Sequence, residues 1–272
     1  MSERQLDLFS DATVRTGPSP PPSMGQPVSA ADKDDAALIA AIPEASLANG
    51  TLLAAEAGRR RLAGAIPALA ALCRRFKGFG ADRLVPEQAA ALRALGEIGG
   101  HEAGQVVSGL ISRAVVQGPT LGVAVDAAAT VHAPLPPSVL GSLLQHADPG
   151  IRAAACRCAR RSPEVIALLI RLLEDRDRAV AGSAACALGR LGRSDARPGL
   201  KQLLREAPSV DVVESVPAIA DEECMVLLGR LARTMPDLAD AAIDALESID
   251  HPRASAIAAA VRRPPPPPVS PS

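Results

Sequence analysis

The side chains best suited to chemistry in this 272-residue chain are its five cysteines and four histidines. Two of the cysteines, Cys156 and Cys158, form a Cys-x-Cys pair in a segment rich in alanine. Two thiolates could ligate a metal, but each residue of a helix turns the side chain by about 100°, so these thiols would point about 200° apart. We therefore expect no shared metal and interpret the cysteines as small core residues in a reducing compartment.

The remaining reactive residues form no recognisable catalytic arrangement. The histidines are far apart in sequence, at His101, His132, His146 and His251. No His-Glu-x-x-His motif, glycine-rich phosphate loop or Ser/His/Asp grouping occurs in the chain. The sequence therefore predicts a protein that is not an enzyme, with no catalytic residue, no metal site and no cofactor.

Composition and charge exclude several classes of partner. The formal net charge is −1, so no global field attracts nucleic acid or an anionic membrane. The N-terminus carries Glu3, Asp7 and Asp11 and lacks the apolar run of a signal peptide. No stretch is long and apolar enough to span a bilayer. We expect a cytoplasmic monomer with no membrane partner.

The elements that must position these residues are helices. Between residues 34 and 263, apolar residues recur at i, i+3, i+4 and i+7 in successive segments that Pro, Gly or Asp separate. Pro67 and Pro217 fall inside apolar patterns and should kink a helix or start one there. No convincing alternation typical of a strand is present, so the sequence predicts an all-α fold.

The helices are predicted to come in pairs. Residues 177–192 read Asp-Arg-Ala-Val-Ala-Gly-Ser-Ala-Ala-Cys-Ala-Leu-Gly-Arg-Leu-Gly, and related runs begin at Asp148 and Ala91. The spacing indicates a helical hairpin of roughly 30 residues, with the Asp placed to cap its first helix. Such a hairpin cannot bury its apolar stripe alone, so neighbours must stack. The predicted units are 34–78, 85–117, 119–147, 148–175, 177–206, 209–235 and 237–262.

This run resembles the short HEAT-like repeats of the phycobilisome-lyase type, whose pattern ends in Ala-Leu-Gly-x-Leu-Gly. Residues 177–192 match it except that Ala181 stands where Arg is usual, and Arg152 keeps that Arg in the preceding unit. The resemblance extends over about 85–262. It implies a right-handed α-solenoid of about seven helical hairpins that acts as a protein-binding scaffold, although such repeats identify an architecture rather than an activity.

Enzymes built on such repeats provide the alternatives. The di-iron hydroxylases of this type use several His-Glu pairs, whereas only His101-Glu102 forms such a pair here, and one pair cannot ligate two irons. The HEAT-like glycosylases hold a damaged base with aromatic residues, and this chain has no Trp or Tyr. A bilin-lyase-like or enzyme-accessory protein stays open, although nothing in the sequence binds a tetrapyrrole specifically.

Arginine clusters define a candidate basic surface. If they share one face of the solenoid, they form a positive stripe that could follow a phosphate backbone. The alternative is that they are solvated or paired with Asp and Glu. Further clusters lie at Arg59-Arg60-Arg61 and Arg74-Arg75-Lys77. Since the net charge is near zero and aromatic residues are not expected to interleave with the clusters, nucleic-acid binding is not favoured. The candidate basic surface consists of Arg157, Arg160, Arg161, Arg190, Arg193, Arg197, Lys201 and Arg205.

One of the chain's three Phe residues, Phe9, lies outside the array and closes the segment Gln5-Leu6-Asp7-Leu8-Phe9. This segment is similar, residue for residue, to the Gln-Leu-Ser/Asp-Leu-Phe motif by which many bacterial proteins bind the DNA polymerase sliding clamp. The resemblance implies that Gln5 occupies a polar subsite, that Leu6 supports the turn, and that Leu8 and Phe9 fill an apolar pocket. The alternatives are an inert end or a segment that folds back on the first helix of the array.

The predicted organisation has four parts. They are a linear motif in a disordered tail (1–11), a Pro/Ser-rich linker (12–33), the HEAT-like array (34–263) and a disordered Pro-rich tail (264–272). We hypothesise a non-catalytic adaptor, tethered to the sliding clamp, whose array binds a protein partner. A general protein-binding scaffold with no clamp role is the alternative.

Overall fold

The computed structural model describes residues 29–262, and every regular element in that range is a helix. The predicted motif at 1–11 and the Pro-rich tail at 264–272 lie outside the described residues. Short 3-10 helices occur at Ala30–Asp32, Ala63–Ala65, Ser194–Ala196 and Pro217–Ile219. The α-helices are α1 (Asp35–Ala41), α2 (Leu47–Arg59), α3 (Ile66–Arg75), α4 (Pro86–Ile98), α5 (Gly100–Ser112), α6 (Pro119–Thr130), α7 (Pro137–Leu144), α8 (Pro149–Arg157), α9 (Pro163–Leu172), α10 (Arg178–Arg190), α11 (Arg197–Glu206), α12 (Val210–Glu214), α13 (Glu222–Thr234), α14 (Pro236–Glu247) and α15 (Pro252–Arg262).

From α2 onward the helices form seven consecutive pairs, beginning with α2–α3 and ending with α14–α15. The first helices of the pairs stack on one another, since α2 packs on α4, α4 on α6, α6 on α8 and α8 on α10. Among the second helices, α3 packs on α5, α7 on α9 and α11 on α13. The predicted all-α solenoid of about seven hairpins is therefore confirmed. Helix α1 is an additional element that packs on α2, so the first predicted unit holds three helices.

Small residues set the close spacing of the stacked helices. A Cβ added at Gly58 of α2 would lie 2.8 Å from Cα of Ala94 in α4. A Cβ added at Gly189 of α10 would lie 2.7 Å from Cδ1 of Leu200 in α11. One continuous core of buried Ala, Leu, Val, Ile and Cys side chains connects the hairpins from Leu38 to Ala258. Because Ala and Leu fill this narrow space, the stacked layers leave little room for aromatic side chains.

The helices begin where local signals predict. Asp148 Oδ1 accepts a hydrogen bond from the Gly150 N–H at 2.8 Å, and Asp177 Oδ1 accepts one from the Ala179 N–H at 2.8 Å. Each carboxylate thereby satisfies an N–H group in the first turn of its helix. Pro67 lies in the first turn of α3, and Pro217 opens a 3-10 helix. The predictions of Asp caps and of helix starts at these prolines are confirmed.

Several helices end with a residue in the left-handed region. After α10, Gly192 has a φ of 72°, and the Arg193 N–H donates to the Leu188 carbonyl at 2.9 Å. This arrangement satisfies a carbonyl at the helix end, and glycine adopts it without a Cβ clash. The last Gly of the Ala-Leu-Gly-x-Leu-Gly run therefore has a backbone role. Non-glycine residues occupy the same conformation after α2, α5 and α6, namely Arg61, Ala114 and His132.

A largely buried ion pair joins the α8–α9 hairpin to its neighbours. Arg152 donates from Nε and Nη2 to the two carboxylate oxygens of Asp175, each at 2.9 Å. Its Nη1 donates to the carbonyls of His146 and Ala147, each at 2.9 Å. Asp175 also accepts the Asp177 N–H at 2.9 Å. The Arg152 side chain thus fixes the turns before α8 and before α10, and its hydrogen bonds lower the pKa of Asp175.

Candidate binding surfaces of the repeat array

A groove of about 760 Å³ lies in the fifth hairpin. Helices α10 and α11 form its walls, and the start of α12 closes one end. Small and apolar side chains form its floor. A Cβ added at Gly182 would lie 3.6 Å from Leu203 Cδ1, and one added at Gly199 would lie 3.3 Å from Ala185 Cβ. We call this feature the α10–α11 groove. Its polar rim consists of Arg178, Ser183, Asp195, Gln202, Glu206, Ser209 and Asp211.

A smaller depression of about 320 Å³ lies between α4 and α6. Its lining includes Gly96 and Ala127, whose small side chains leave the space open, and both charge signs from Arg93, Glu97 and Asp126. The two concavities therefore combine an apolar floor with a mixed polar rim. Such sites suit a partner's side chain or a short segment of its chain.

The residues of the candidate basic surface lie on α8, α10 and α11 and in the loops that follow α8 and α10. Most of them are paired with carboxylates. Arg157 pairs with Asp126 of α6, and Arg190 pairs with Asp211 of α12. Arg160 instead donates to the carbonyl of His132 at 2.5 Å. The other pairs are Arg193–Asp195, Arg197–Asp221, Lys201–Asp221, Lys201–Glu223 and Arg205–Glu223.

Apart from Arg193–Asp195, these pairs connect neighbouring hairpins. Lys201 Nζ lies 2.7 Å from Asp221 Oδ2 and 2.7 Å from Glu223 Oε2, so it joins α11 to the start of α13. Burial opposes the ionisation of Asp221, but hydrogen bonds from Lys201 and from the Cys224 N–H lower its pKa to about 2. This arrangement corresponds to the alternative in which the arginines pair with Asp and Glu. Arg161 is exposed and forms no ion pair with another described residue.

The cluster at Arg74-Arg75-Lys77 is different, because aromatic residues interleave with it. Phe76 and Phe79 lie in the loop between α3 and α4, with ring centroids 6.3 Å apart in a T-shaped contact. The expectation that no aromatic residue interleaves with the basic clusters is therefore wrong at this loop. The sequence Arg-Arg-Phe-Lys-Gly-Phe-Gly carries the signal, but only the structure shows that 59% of Phe79 is exposed.

All five cysteines are buried and free, which confirms their interpretation as core residues. Burial raises the pKa of the Cys73, Cys156 and Cys158 thiols to about 12 and that of Cys186 to about 11. Cys156 and Cys158 do not share a ligand site, since Cys158 Sγ instead donates to the carbonyl of Val125 at 3.6 Å. Because the thiolate is the reactive form, none of these side chains is prepared for nucleophilic chemistry.

This burial predicts a specific chemical behaviour. In the native protein at pH 8, all five thiols should react with Ellman's reagent far more slowly than free cysteine, because they are both protonated and inaccessible. In denaturant all five should react at once. The absorbance of the released thiolate, followed over time, measures both rates. A native thiol that reacts as fast as free cysteine would contradict the structure.

The histidines serve local structure. His146 Nδ1 accepts the Asp148 N–H at 3.1 Å, and His251 Nδ1 accepts the Arg253 N–H at 3.1 Å. His101 Nε2 lies 3.4 Å from Nε2 of Gln105 one helical turn away. Within residues 29–262, no group of three or more His, Cys, Asp or Glu side chains is arranged to hold a metal ion. In the same range, no helix combines the length and the apolar character needed to cross a membrane.

Comparison with known proteins identifies repeats in part of the chain. Residues 137–220 match the family model for HEAT repeats. This part of the chain therefore consists of HEAT-like repeats. The matched region runs from α7 to the 3-10 helix after α12, and it contains the α10–α11 groove and the Arg152–Asp175 ion pair. The predicted units 148–175 and 177–206 therefore lie within the part of the chain that the family model matches.

The comparison with solved structures gives two low-scoring matches. Human deoxyhypusine hydroxylase in complex with glycerol is 19% identical, with a TM-score of 0.36, over 79% of this chain and 84% of that chain. An engineered protein is 17% identical, with a TM-score of 0.28, over 82% of this chain and 93% of that chain. No curated protein matches the chain.

Proposed function

We propose that this protein is a non-catalytic HEAT-repeat adaptor. In this proposal the array binds a protein partner, and the segment Gln5–Phe9 tethers it to the DNA polymerase sliding clamp of a bacterial cell. The observation that supports the tether is the pentapeptide Gln-Leu-Asp-Leu-Phe, in which each position holds a residue that the clamp-binding motif requires. It precedes a Pro/Ser-rich stretch rather than a helical pattern.

The surfaces of the array support the binding part of the proposal. The α10–α11 groove provides an apolar floor with both donors and acceptors on its rim, which suits a segment of a protein partner. The reactive side chains are occupied elsewhere, since the cysteines lie in the core and His146 and His251 accept backbone N–H groups. A surface that recognises a partner without changing it chemically agrees with this arrangement.

The expected strength of the tether follows from its size. Burying Leu6, Leu8 and Phe9 yields about 1.5–3 kcal/mol each. Ordering the five backbone residues costs about 1 kcal/mol or more apiece. These two terms leave at most about 4 kcal/mol, so the affinity that we expect, about micromolar at best or roughly −7 to −8 kcal/mol, also requires hydrogen bonds from Gln5 and the peptide backbone to the clamp. The linker at 12–33 has a typical reach of about 25 Å, so the array searches for its own partner at a raised effective concentration.

The test is a titration of the purified clamp with a labelled peptide of residues 1–12 and with the whole chain. We expect micromolar binding for both, because the peptide contains every contact residue of the motif. Leu8→Ala with Phe9→Ala should weaken binding more than tenfold, since it removes both side chains that fill the apolar pocket. Fluorescence anisotropy and calorimetry measure the two dissociation constants.

A matched control removes apolar side chains from the linker instead. Val14→Ala with Val28→Ala leaves the pentapeptide intact and should not change clamp binding. Binding that is absent, or that is the same for the motif variant and the control, would refute the tether. A HEAT-repeat scaffold with no clamp role is then the better description.

A further inference from the structure

The loop between α3 and α4 presents the most exposed aromatic side chain among the described residues. Phe79 is 59% exposed, whereas Phe76 is partly buried and packs against the core. The chain contains three aromatic residues in all, and two of them lie in this loop. Leu84 at the end of the loop is 42% exposed. We call residues 76–85 the Phe79 loop.

The Phe79 loop is held in one conformation by its neighbours. Gly78 and Gly80 flank Phe79 with φ values of 85° and 84°, which favour glycine. A Cβ at Gly80 would lie 2.8 Å from the Arg83 carbonyl oxygen, so the loop closes tightly on itself. The Phe79 N–H donates to the Phe76 carbonyl at 3.1 Å. The ring of Phe79 is therefore presented to solvent by a fixed backbone.

The start of α6, in the third hairpin, contacts the loop. Gly118 approaches so closely that a Cβ there would overlap the carbonyl oxygens of Gly80 and Ala81. At the end of the loop, the Val85 N–H donates to the buried Thr120 Oγ1 at 2.9 Å. These contacts on both sides of the loop hold the backbone that carries the exposed Phe79 side chain.

Cations that form no ion pair with another described residue lie on both sides of Phe79 in the sequence. Arg74, Lys77 and Arg83 are exposed, and none forms an ion pair with another described residue. Arg75 has a structural role, since it donates to the carbonyls of Pro43 and Ala45, and its guanidinium lies 5.5 Å from the centre of the Phe76 ring. Carboxylates near the loop are Asp82 within it, Glu44 between those two carbonyls, and the buried Glu87 in the first turn of α4. Three free cations and one exposed ring thus lie within ten residues of sequence.

The shape of the surface favours one class of ligand. The ring stands out from the loop, and neither the α10–α11 groove nor the depression between α4 and α6 is lined by residues of the Phe79 loop. An acidic peptide with an apolar anchor would need a pocket for that anchor. A projecting ring next to free cations instead matches the requirements of a single strand, whose bases stack on aromatic faces and whose phosphates pair with Lys and Arg.

We propose that the Phe79 loop binds single-stranded nucleic acid without sequence preference. Phe79 stacks on one base, and Arg74, Lys77 and Arg83 contact the phosphates beside it. This function goes beyond the adaptor role and does not depend on Gln5–Phe9. It also locates nucleic-acid binding away from the candidate basic surface, where most of the cations are already paired with carboxylates.

The experiment titrates the full chain into a fluorescein-labelled thymidine oligonucleotide about 20 nucleotides long, which is long enough for one such site. Anisotropy at several salt concentrations measures affinity and its salt dependence. Phe79→Ala should weaken binding by about 5- to 100-fold with the salt slope retained. Arg74→Ala, Lys77→Ala and Arg83→Ala together should reduce the slope of log K against log salt from about −2 to near zero, because each phosphate contact contributes about −0.7.

Matched controls remove similar side chains from other surfaces. Val226→Ala shortens another exposed apolar residue, and Arg171→Ala, Arg230→Ala and Arg233→Ala together remove three exposed cations elsewhere. Both should bind the oligonucleotide as the natural chain does, and so should Leu8→Ala with Phe9→Ala. Circular dichroism checks that each variant is folded.

Two outcomes would overturn the proposal. One is the absence of oligonucleotide binding at low salt. The other is oligonucleotide binding that Phe79→Ala leaves unchanged. If heparin also competes with the oligonucleotide equally well, the site is a general polyanion site without base stacking. A single strand bound about tenfold or more tightly than the matched duplex, with dependence on both Phe79 and the three cations, supports it.

Discussion

Replacing Asp175 by Ala should lower the free energy of unfolding by about 2–3 kcal/mol, slightly below the range of about 3–5 kcal/mol for fully buried ion pairs. The side chains of Arg152 and Asp175 are only 17% and 9% exposed, so the substitution leaves a largely buried guanidinium without its carboxylate. It also removes the acceptor of the Asp177 N–H at the turn before α10. Urea and thermal unfolding followed by circular dichroism measure the loss, which corresponds to about 5–10 °C in the melting temperature.

The pair also predicts the direction of a pH dependence. Hydrogen bonds from Arg152 hold the pKa of Asp175 below its usual value, so the ionised carboxylate is favoured in the folded state. Its stabilising contribution is fully present above the ordinary pKa of an Asp, about 4, and is lost as the pH falls through the lowered native value. The difference in stability between the natural chain and Asp175→Ala should therefore shrink below about pH 4.

Two further variants separate this pair from ordinary surface ion pairs. Asp126→Ala removes the partner of Arg157, where the side chains are 58% and 47% exposed, and should cost less than about 1 kcal/mol. Arg152→Met with Asp175→Leu replaces both charges by apolar groups and should recover much of the stability lost in Asp175→Ala. Equal losses for Asp175→Ala and Asp126→Ala would show that burial does not distinguish the two pairs.

Replacing Gly189 by Ala should destabilise the array by about 1–3 kcal/mol, although alanine is the better helix former. The added methyl group would lie 2.7 Å from Leu200 Cδ1 and would overlap the Ser215 carbonyl oxygen. Leucine can rotate away, but the backbone carbonyl before the 3-10 helix cannot, and Ser215 is fully buried. Since this contact joins α10 to the next hairpin, the change should also loosen α12. Urea unfolding and amide hydrogen exchange of α12 measure the two effects.

The same helix offers the control. At Gly182 an added methyl group would lie 3.6 Å from Leu203, which is ordinary contact, and the position is in the middle of α10. Gly182→Ala should therefore be neutral or should stabilise the protein by up to about 1 kcal/mol through helix propensity alone. A Gly189→Ala variant as stable as Gly182→Ala would mean that the close approach of α10 to Ser215 is not required.

Local signals account for most of what could be predicted about the fold. These signals are the apolar periodicity, the capping residues Asp148 and Asp177, and the prolines at helix starts. Each involves only a few neighbouring residues, and each has in the structure the role that the sequence predicts. The hairpin repeat also predicted stacking, because a single hairpin cannot bury its own apolar stripe. The extra helix α1 was not predicted separately, since its pattern merges with that of α2.

The surfaces were harder to predict. Lys201 reads in the sequence as part of a basic cluster, yet its partners Asp221 and Glu223 are about 20 residues away and come close only because α11 packs on α13. Conversely, Arg74 and Lys77 have the same appearance in sequence but meet no described carboxylate. The charge of a repeat surface depends on which helices are adjacent in space, which residue type alone does not reveal.

The sequence by itself determined that this chain is a stack of helical hairpins with cysteines in its core, because periodicity, caps and repeat spacing are local properties. It also supplied the pentapeptide Gln5–Phe9 as a hypothesis about a partner. Only the tertiary structure decided which cations are neutralised and that Phe79 faces solvent on a loop fixed by Gly118. The physical reason is that burial and ion pairing are properties of packed neighbours, and the neighbours come from the next repeat.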